Sequence, residues 1–263
     1  MNKYQSRKSL GIFNLVVFIG TVIVNSLAMT MPLNNKTTGE LSGQYPNLFV
    51  PAGSTFSIWG VIYLLLAIFA IYQLVYAFRT NEQSPTFIEK IGILFILSSL
   101  MNMCWIFAWH YEMIPLSVLI MLILLLSLIA IYVRLGIGRA DTSKTEKYLV
   151  HLPFSVYLGW ITIATIANIT ALLVDINWNR FGFSEPFWTV AVLVVGIAIG
   201  LVMLFSQKDI FFALVVDWAL FGIWIKRSSV EAEPVQSIIL TVIIGISLIS
   251  LGIVTQLIRR KVY

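Results

Sequence analysis

Eight apolar stretches, each long enough to cross a bilayer, run end to end along this chain and leave it few folds to choose from. They lie at about 10–31, 52–78, 88–109, 113–134, 148–174, 186–205, 209–226 and 235–258. A helix needs about 20 apolar residues to span the hydrocarbon core. In lipid, backbone N–H and C=O groups must be satisfied inside the segment or in a closed barrel. The period-two alternation of barrel strands is absent here, so helices are expected throughout. Only 11% of the residues are charged and 59% are hydrophobic, whereas a soluble domain carries roughly a quarter charged residues. The expected fold class is an all-α polytopic membrane protein.

The connections are short except at 32–50 and 136–147. The first is polar and turn-rich, with Asn34, Asn35, Gly39, Gly43 and Pro46, and is expected to be irregular. The basic start, Asn2 to Lys8, leads into a full-length apolar run with no small-residue cleavage site, which reads as an uncleaved first helix. With the N-terminus inside, 13 of the 17 Lys and Arg residues fall on the inner side; Lys36, Arg180, Lys226 and Arg227 fall outside. The positive-inside bias then puts both termini in the cytoplasm and the 32–50 loop outside. A prokaryotic cytoplasmic membrane is the expected location. The same bias accounts for the net charge of +5, so no nucleic-acid partner is expected. The single Cys104 excludes an intramolecular disulfide.

Polar and aromatic residues inside the spans direct attention to function. Tyr157, Trp160, Ala164 and Asn168 follow one another at spacings of three, four and four, which puts them on one helix face. Phe56, Trp59 and Tyr63 form a similar face, as do Asn102, Trp105 and Trp109. Together they suggest an aromatic-lined cavity inside a helix bundle, mostly apolar with a few polar handles. Plain readings stand beside this one. Trp105 and Trp160 could serve helix packing, with each indole N–H bonded to a neighbour. Asn102 and Asn168 could be interhelical hydrogen-bonding amides. Trp178 and Trp188, beside a loop, read as interfacial belt residues. Pro51 and Gly53 suit a first helical turn, or a hinge for the 32–50 loop.

The remaining chemistry is sparse. His110 and His151 read as solvated residues near span ends, with haem ligation the sharper alternative. No group of residues has metal-ligand spacing, and no nucleophile–base set or phosphate loop is visible. Neither an enzyme nor an obligatory cofactor is expected. Asp217 is an acid inside the seventh span, and such residues are candidate proton or cation sites; a secondary transporter is therefore the alternative function. Gly196 and Gly200 permit close helix contact, either in a homodimer or within the chain.

The order and spacing of these residues carry a resemblance. Pro51-Ala-Gly53 with Phe56, Trp59 and Tyr63, then Asn102-Met-Cys-Trp105, then Pro153 with Tyr157, Trp160, Ala164 and Asn168 resemble the tryptophan-rich sensory protein / translocator protein family, the peripheral benzodiazepine receptors. The resemblance covers residues 10 to about 174. It implies a five-helix bundle over 1–174, followed by a three-helix membrane extension over 175–263. It also implies a pocket for tetrapyrroles, sterols or drug-like molecules, closed by the loop after the first helix. The expected ligand is a flat hydrophobic molecule, porphyrin or haem among the possibilities. It would be held by Trp59, Trp105, Trp109 and Trp160, with Tyr63, Tyr157 and Asn102 as polar handles and Ala164 and Asn168 completing the wall. Pro153 lies four residues before Tyr157 rather than directly before it, a departure from the family pattern.

Overall fold

A computed structural model of the chain describes residues 3–31, 33–79, 86–229 and 235–259. The helices are α1 (Lys3–Thr30), α2 (Thr38–Gln44), α3 (Ile58–Arg79), α4 (Phe87–Ile91), α5 (Leu94–His110), α6 (Ile114–Leu135), the single turn α7 (Lys144–Glu146), α8 (Leu152–Asp175), α9 (Glu185–Ser206), α10 (Ile210–Arg227) and α11 (Gln236–Ile258). No strand occurs among the described residues. Each of the eight apolar stretches holds a long helix. Six segments are long and apolar enough to cross a membrane. Of the other two helices, α5 has 17 residues, and α10 has 18 and carries Asp217, Lys226 and Arg227. The chain is an all-α integral membrane protein.

Large apolar side chains lie on the outside as well as in the core, and several amides lie within. Leu64, Leu126 and Leu251 are more than 60% exposed, while Asn14, Gln73 and Asn102 are fully buried. Lipid accepts the first group, and the second must find partners on other helices. The first helix shows the rule residue by residue. Arg7, Gly11, Asn14, Phe18, Thr21, Asn25 and Ala28 are buried, at alternating spacings of four and three. That mean period of 3.5 keeps one seam against its neighbours. Ile12, Val16, Ile19 and Ile23 point outward.

Three details depart from the sequence expectation, each for a physical reason. The expected third span breaks into α4 and α5 at Gly92, whose φ of 54° favours glycine. The fifth span opens with a π-helical turn at Lys147–His151. Pro153 follows two residues later, where it has no N–H to give and its ring would clash with the carbonyl of Leu149; the wider turn relieves this. The 32–50 loop is not wholly irregular, since it contains a 3-10 turn at Leu33–Asn35 and then α2.

The chain divides into two compact units, Met1–Thr38 with Ile58–Leu158, and Gly39–Ser57 with Gly159–Tyr263. In the first, α5 packs on α6, and α1 packs on α3 and α5. Phe69 is fully buried and meets Phe95 and Phe154 edge-on at 5.2 and 4.9 Å. Arg7 forms an ion pair with Glu89, which also accepts hydrogen bonds from the backbone N–H and hydroxyl of Thr86. Burial alone would raise the Glu89 carboxyl, but the hydrogen bonds from Thr86 and Arg7 outweigh it and hold its pKa below the ordinary value.

In the second unit α9, α10 and α11 pack on one another. Gly196 faces Ile163, and Gly200 faces Ile249 and Val216, so this pair serves close packing inside the chain. The tightest approach is at Gly222 of α10. A Cβ there would lie 2.0 Å from Thr55 Oγ1. The Gly222 carbonyl accepts from the Ala52 N–H at 3.0 Å, and the Trp218 indole donates to the Thr55 carbonyl at 2.9 Å. Gly53 thus opens a 3-10 turn, Gly53–Ser57, that α10 pins in place.

Two outcomes are expected. Gly222→Ala should lower thermal stability in detergent by about 1–3 kcal/mol, the usual range for overpacking, and Thr55→Gly in the same chain should restore part of it. Glu89 has a folded-state pKa below the unfolded one, so its stabilising contribution is present above the ordinary value of 4.5 and is lost as pH falls through the folded value. Melting curves across that window should show a shallower acid loss for Glu89→Gln than for the parent.

Candidate aromatic and amide site

The α5 face that bears Asn102, Trp105 and Trp109 turns inward, and all three side chains are buried. Asn102 is the hub. Its Oδ1 accepts from Asn25 Nδ2 on α1 at 2.7 Å, and its Nδ2 donates to the Tyr157 hydroxyl on α8 at 3.1 Å. Asn25 also donates to the Thr21 carbonyl at 2.9 Å. One carboxamide therefore ties three helices of the first unit together.

Aromatic rings gather around this hub. Trp105 and Trp109 stack at 5.8 Å with planes 15° apart, and Trp59 and Tyr63 stack at 5.5 Å with planes 16° apart. Trp59 joins the pairs, lying 6.4 Å from Trp105 and meeting Tyr157 edge-on at 6.2 Å. Trp59 and Tyr63 are half-buried, and the Tyr63 hydroxyl itself is buried within reach of the Asn102 amide.

The start of the 32–50 loop is fastened beside this cluster. Asn34 Nδ2 donates to the His110 carbonyl at 3.0 Å, the Trp109 indole donates to the Thr38 carbonyl at 3.3 Å, and Lys36 pairs with Glu112 at 2.7 Å. The last pair is partly exposed and contributes about 1 kcal/mol at most. The two backbone-directed bonds set the loop's position.

Six of the nine expected residues, Trp59, Tyr63, Asn102, Trp105, Trp109 and Tyr157, belong to this cluster. The other three lie further along α8 in the second unit. There Trp160 is buried and meets Phe56 edge-on at 6.0 Å, Asn168 is buried, and Ala164 is half-buried. Both histidines are buried rather than solvated. His110 Nδ1 lies 2.7 Å from the Ile106 carbonyl, and His151 Nε2 lies 3.7 Å from Glu146. No group of three metal-ligating side chains occurs among the described residues. Asp217 accepts from Ser250 on α11 at 2.8 Å, while its second oxygen is buried without a partner among the described residues.

Two features escape a sequence search for aromatic stripes. One is the set of amides on α1 and α3: Asn25, and Asn14, whose Nδ2 donates to Gln73 at 3.0 Å. Their signal was simply an amide inside an apolar run. The other is a cavity of about 430 Å³ in the second unit, walled by Phe49, Leu173, Val174, Trp178, Trp188 and Val192 among others. Trp178 and Trp188 pack on each other there, 5.0 Å apart.

Fold and site define a polytopic helical membrane protein with a buried aromatic cluster organised by an intramembrane amide. Residues 11–255 match the family model described as TSPO-like protein, and the chain belongs to that family. The match runs past the fifth span and through the last three helices. No curated protein and no solved structure matches the chain.

Asn102→Ala would strand the Asn25 and Tyr157 polar groups in an apolar interior. Such a change should destabilise the purified protein by about 1–3 kcal/mol. Tyr157→Phe, which strands one Asn102 N–H instead of polar groups on two helices, should cost less, about 1 kcal/mol. Thermal melts in detergent check the order of the two.

Proposed function

We propose that this protein is a receptor of sensory type for a flat hydrophobic molecule, a tetrapyrrole such as a porphyrin or a sterol-like ring system, bound at the aromatic cluster of the first unit. The observation that carries this reading is the pair of near-parallel stacks, Trp59 on Tyr63 and Trp105 on Trp109, around the Asn102 amide. A flat ligand offers the same kind of face that these rings already present to each other, so stacking on them exchanges one set of ring contacts for another. The Tyr63 hydroxyl, buried beside the Asn102 amide, is a polar handle for a ring substituent. The loop held by Asn34, Lys36 and the Trp109 indole is the element whose position a ligand would bias. A ligand shifts that equilibrium by its differential affinity for the two loop states. In this reading the protein performs no chemistry and needs no resident cofactor, and it sits in a prokaryotic cytoplasmic membrane with both termini inside.

A second reading, a secondary transporter, draws on Asp217. One carboxylate oxygen is held by Ser250 and the other is buried without a partner among the described residues, an arrangement suited to proton exchange.

Titration of the detergent-purified protein with protoporphyrin, followed by tryptophan fluorescence, separates the two. The receptor reading expects saturable quenching, weakened by about tenfold or more (about 1.4 kcal/mol) in Trp105→Ala. Asp217→Asn should bind as the parent does. Trp160→Ala reports separately on the second unit. Equal, unsaturating quenching in parent and Trp105→Ala contradicts the receptor reading. Gradient-driven uptake lost in Asp217→Asn and kept in Trp105→Ala favours the transporter.

A further inference from the structure

The cavity in the second unit has a composition of its own. Its volume of about 430 Å³ falls in the range of small-molecule sites, about 300–1,000 Å³. The walls formed by Leu173, Val174 and Val192 are aliphatic, and Phe49, Trp178 and Trp188 add aromatic faces. The polar wall groups are mostly committed to nearby backbone. Asn47 donates to the Tyr45 carbonyl and accepts from the Phe49 N–H, and Thr170 donates to the Ala167 carbonyl. The body of any ligand must therefore be apolar.

Charge collects at one edge. Glu185 accepts from the Leu48 N–H at 3.0 Å and lies 3.6 Å from Arg180. Arg227 lies within electrostatic reach of the same carboxylate, and its Nε is buried without a partner among the described residues. Arg180 and Glu185 stand in the cavity wall, and Arg227 adds a second positive charge nearby. Arg180 is held on a left-handed stretch of backbone, with φ values of 57° and 51° at Arg180 and Phe181, and the Trp188 indole donates to its carbonyl at 2.8 Å. Residues other than glycine adopt this conformation only where the surroundings enforce it. Beside it Phe181, Phe183 and Phe187 are 73%, 54% and 49% exposed, a cluster of rings suited to the membrane interface.

We propose that this cavity binds a single-chain amphiphile with an anionic head, its tail among Leu173, Val174 and Val192 and its head against Arg180, entering from the membrane interface. Arg227 supplies the positive charge left over once Glu185 is neutralised. The site is separate from the aromatic cluster of the first unit and does not depend on its ligand.

The test uses the full chain in an uncharged detergent with bromine-labelled dodecanoate, which quenches tryptophan emission on contact. Saturable quenching is expected, with an affinity about tenfold above that of the matching bromine-labelled alcohol, as befits a charge-assisted contact. Arg180→Gln should erase that preference, and Trp178→Phe with Trp188→Phe should remove most of the saturable signal. Asn102→Ala, in the other unit, should change neither. Repeating the titration in nanodiscs with phosphatidylglycerol, a two-chain lipid, tests the single-chain assignment: bound dodecanoate should resist competition, and displacement by the lipid overturns it. The proposal is overturned if carboxylate, alcohol and a quaternary-ammonium analogue bind alike, if Arg180→Gln keeps the preference, or if the saturable signal survives loss of both tryptophans.

Discussion

A carboxamide in the middle of a bilayer has two donors and an acceptor that lipid cannot satisfy, so it must find partners on other helices. Asn102 does so on both sides, with Asn25 on α1 and Tyr157 on α8. An unsatisfied polar group there would cost several kcal/mol by rough reckoning, while interhelical hydrogen bonds in membranes return about 1 kcal/mol each. The asymmetry explains how such a group specifies an arrangement more than it strengthens one. Any register of α1, α5 and α8 that breaks these bonds is excluded. Asn14 and Gln73 form a weaker version of the device between α1 and α3: one bond joins them, while Asn14 Oδ1 and Gln73 Nε2 are buried without a partner among the described residues.

The aromatic cluster depends on that register. Trp105 and Trp109 follow Asn102 at intervals of three and four on α5, so fixing the amide fixes both indoles on the same face. Tyr157 is at once the amide's partner and the ring that Trp59 meets edge-on. The loop after α1 then fastens to the same end through Trp109, Asn34 and Lys36. Structure and proposed function share one chain of cause: polar satisfaction sets the register, register gathers the rings, and the rings bring a loop within reach of whatever they hold.

The architecture could be read from the sequence because lipid leaves so little choice. Eight apolar runs became eight long helices, and the stripe residues of α5 turned inward as their spacing demanded. What was less legible follows local rather than global physics. Gly92 splits a run that looks continuous, since hydropathy is blind to a positive φ. Pro153 widens a helical turn instead of ending it, because the neighbouring carbonyl can be relieved by a π-turn. The polar seam of α1 was present as Asn14 and Asn25 in an apolar run, but an aromatic search passes over it. Trp178 and Trp188 could not be separated from ordinary interface residues, because the cavity they line also takes Phe49, far away in sequence, as a wall.

Short illumination of the protein with bound protoporphyrin, followed by peptide mapping of tryptophan oxidation, tests the central claim most directly. The chain has eight tryptophans, spread over both units. Binding at the amide-organised cluster predicts early oxidation of Trp59, Trp105 and Trp109, with Trp178, Trp188, Trp218 and Trp224 lagging. Oxidation spread evenly over all of them, or concentrated on Trp178 and Trp188, would contradict it.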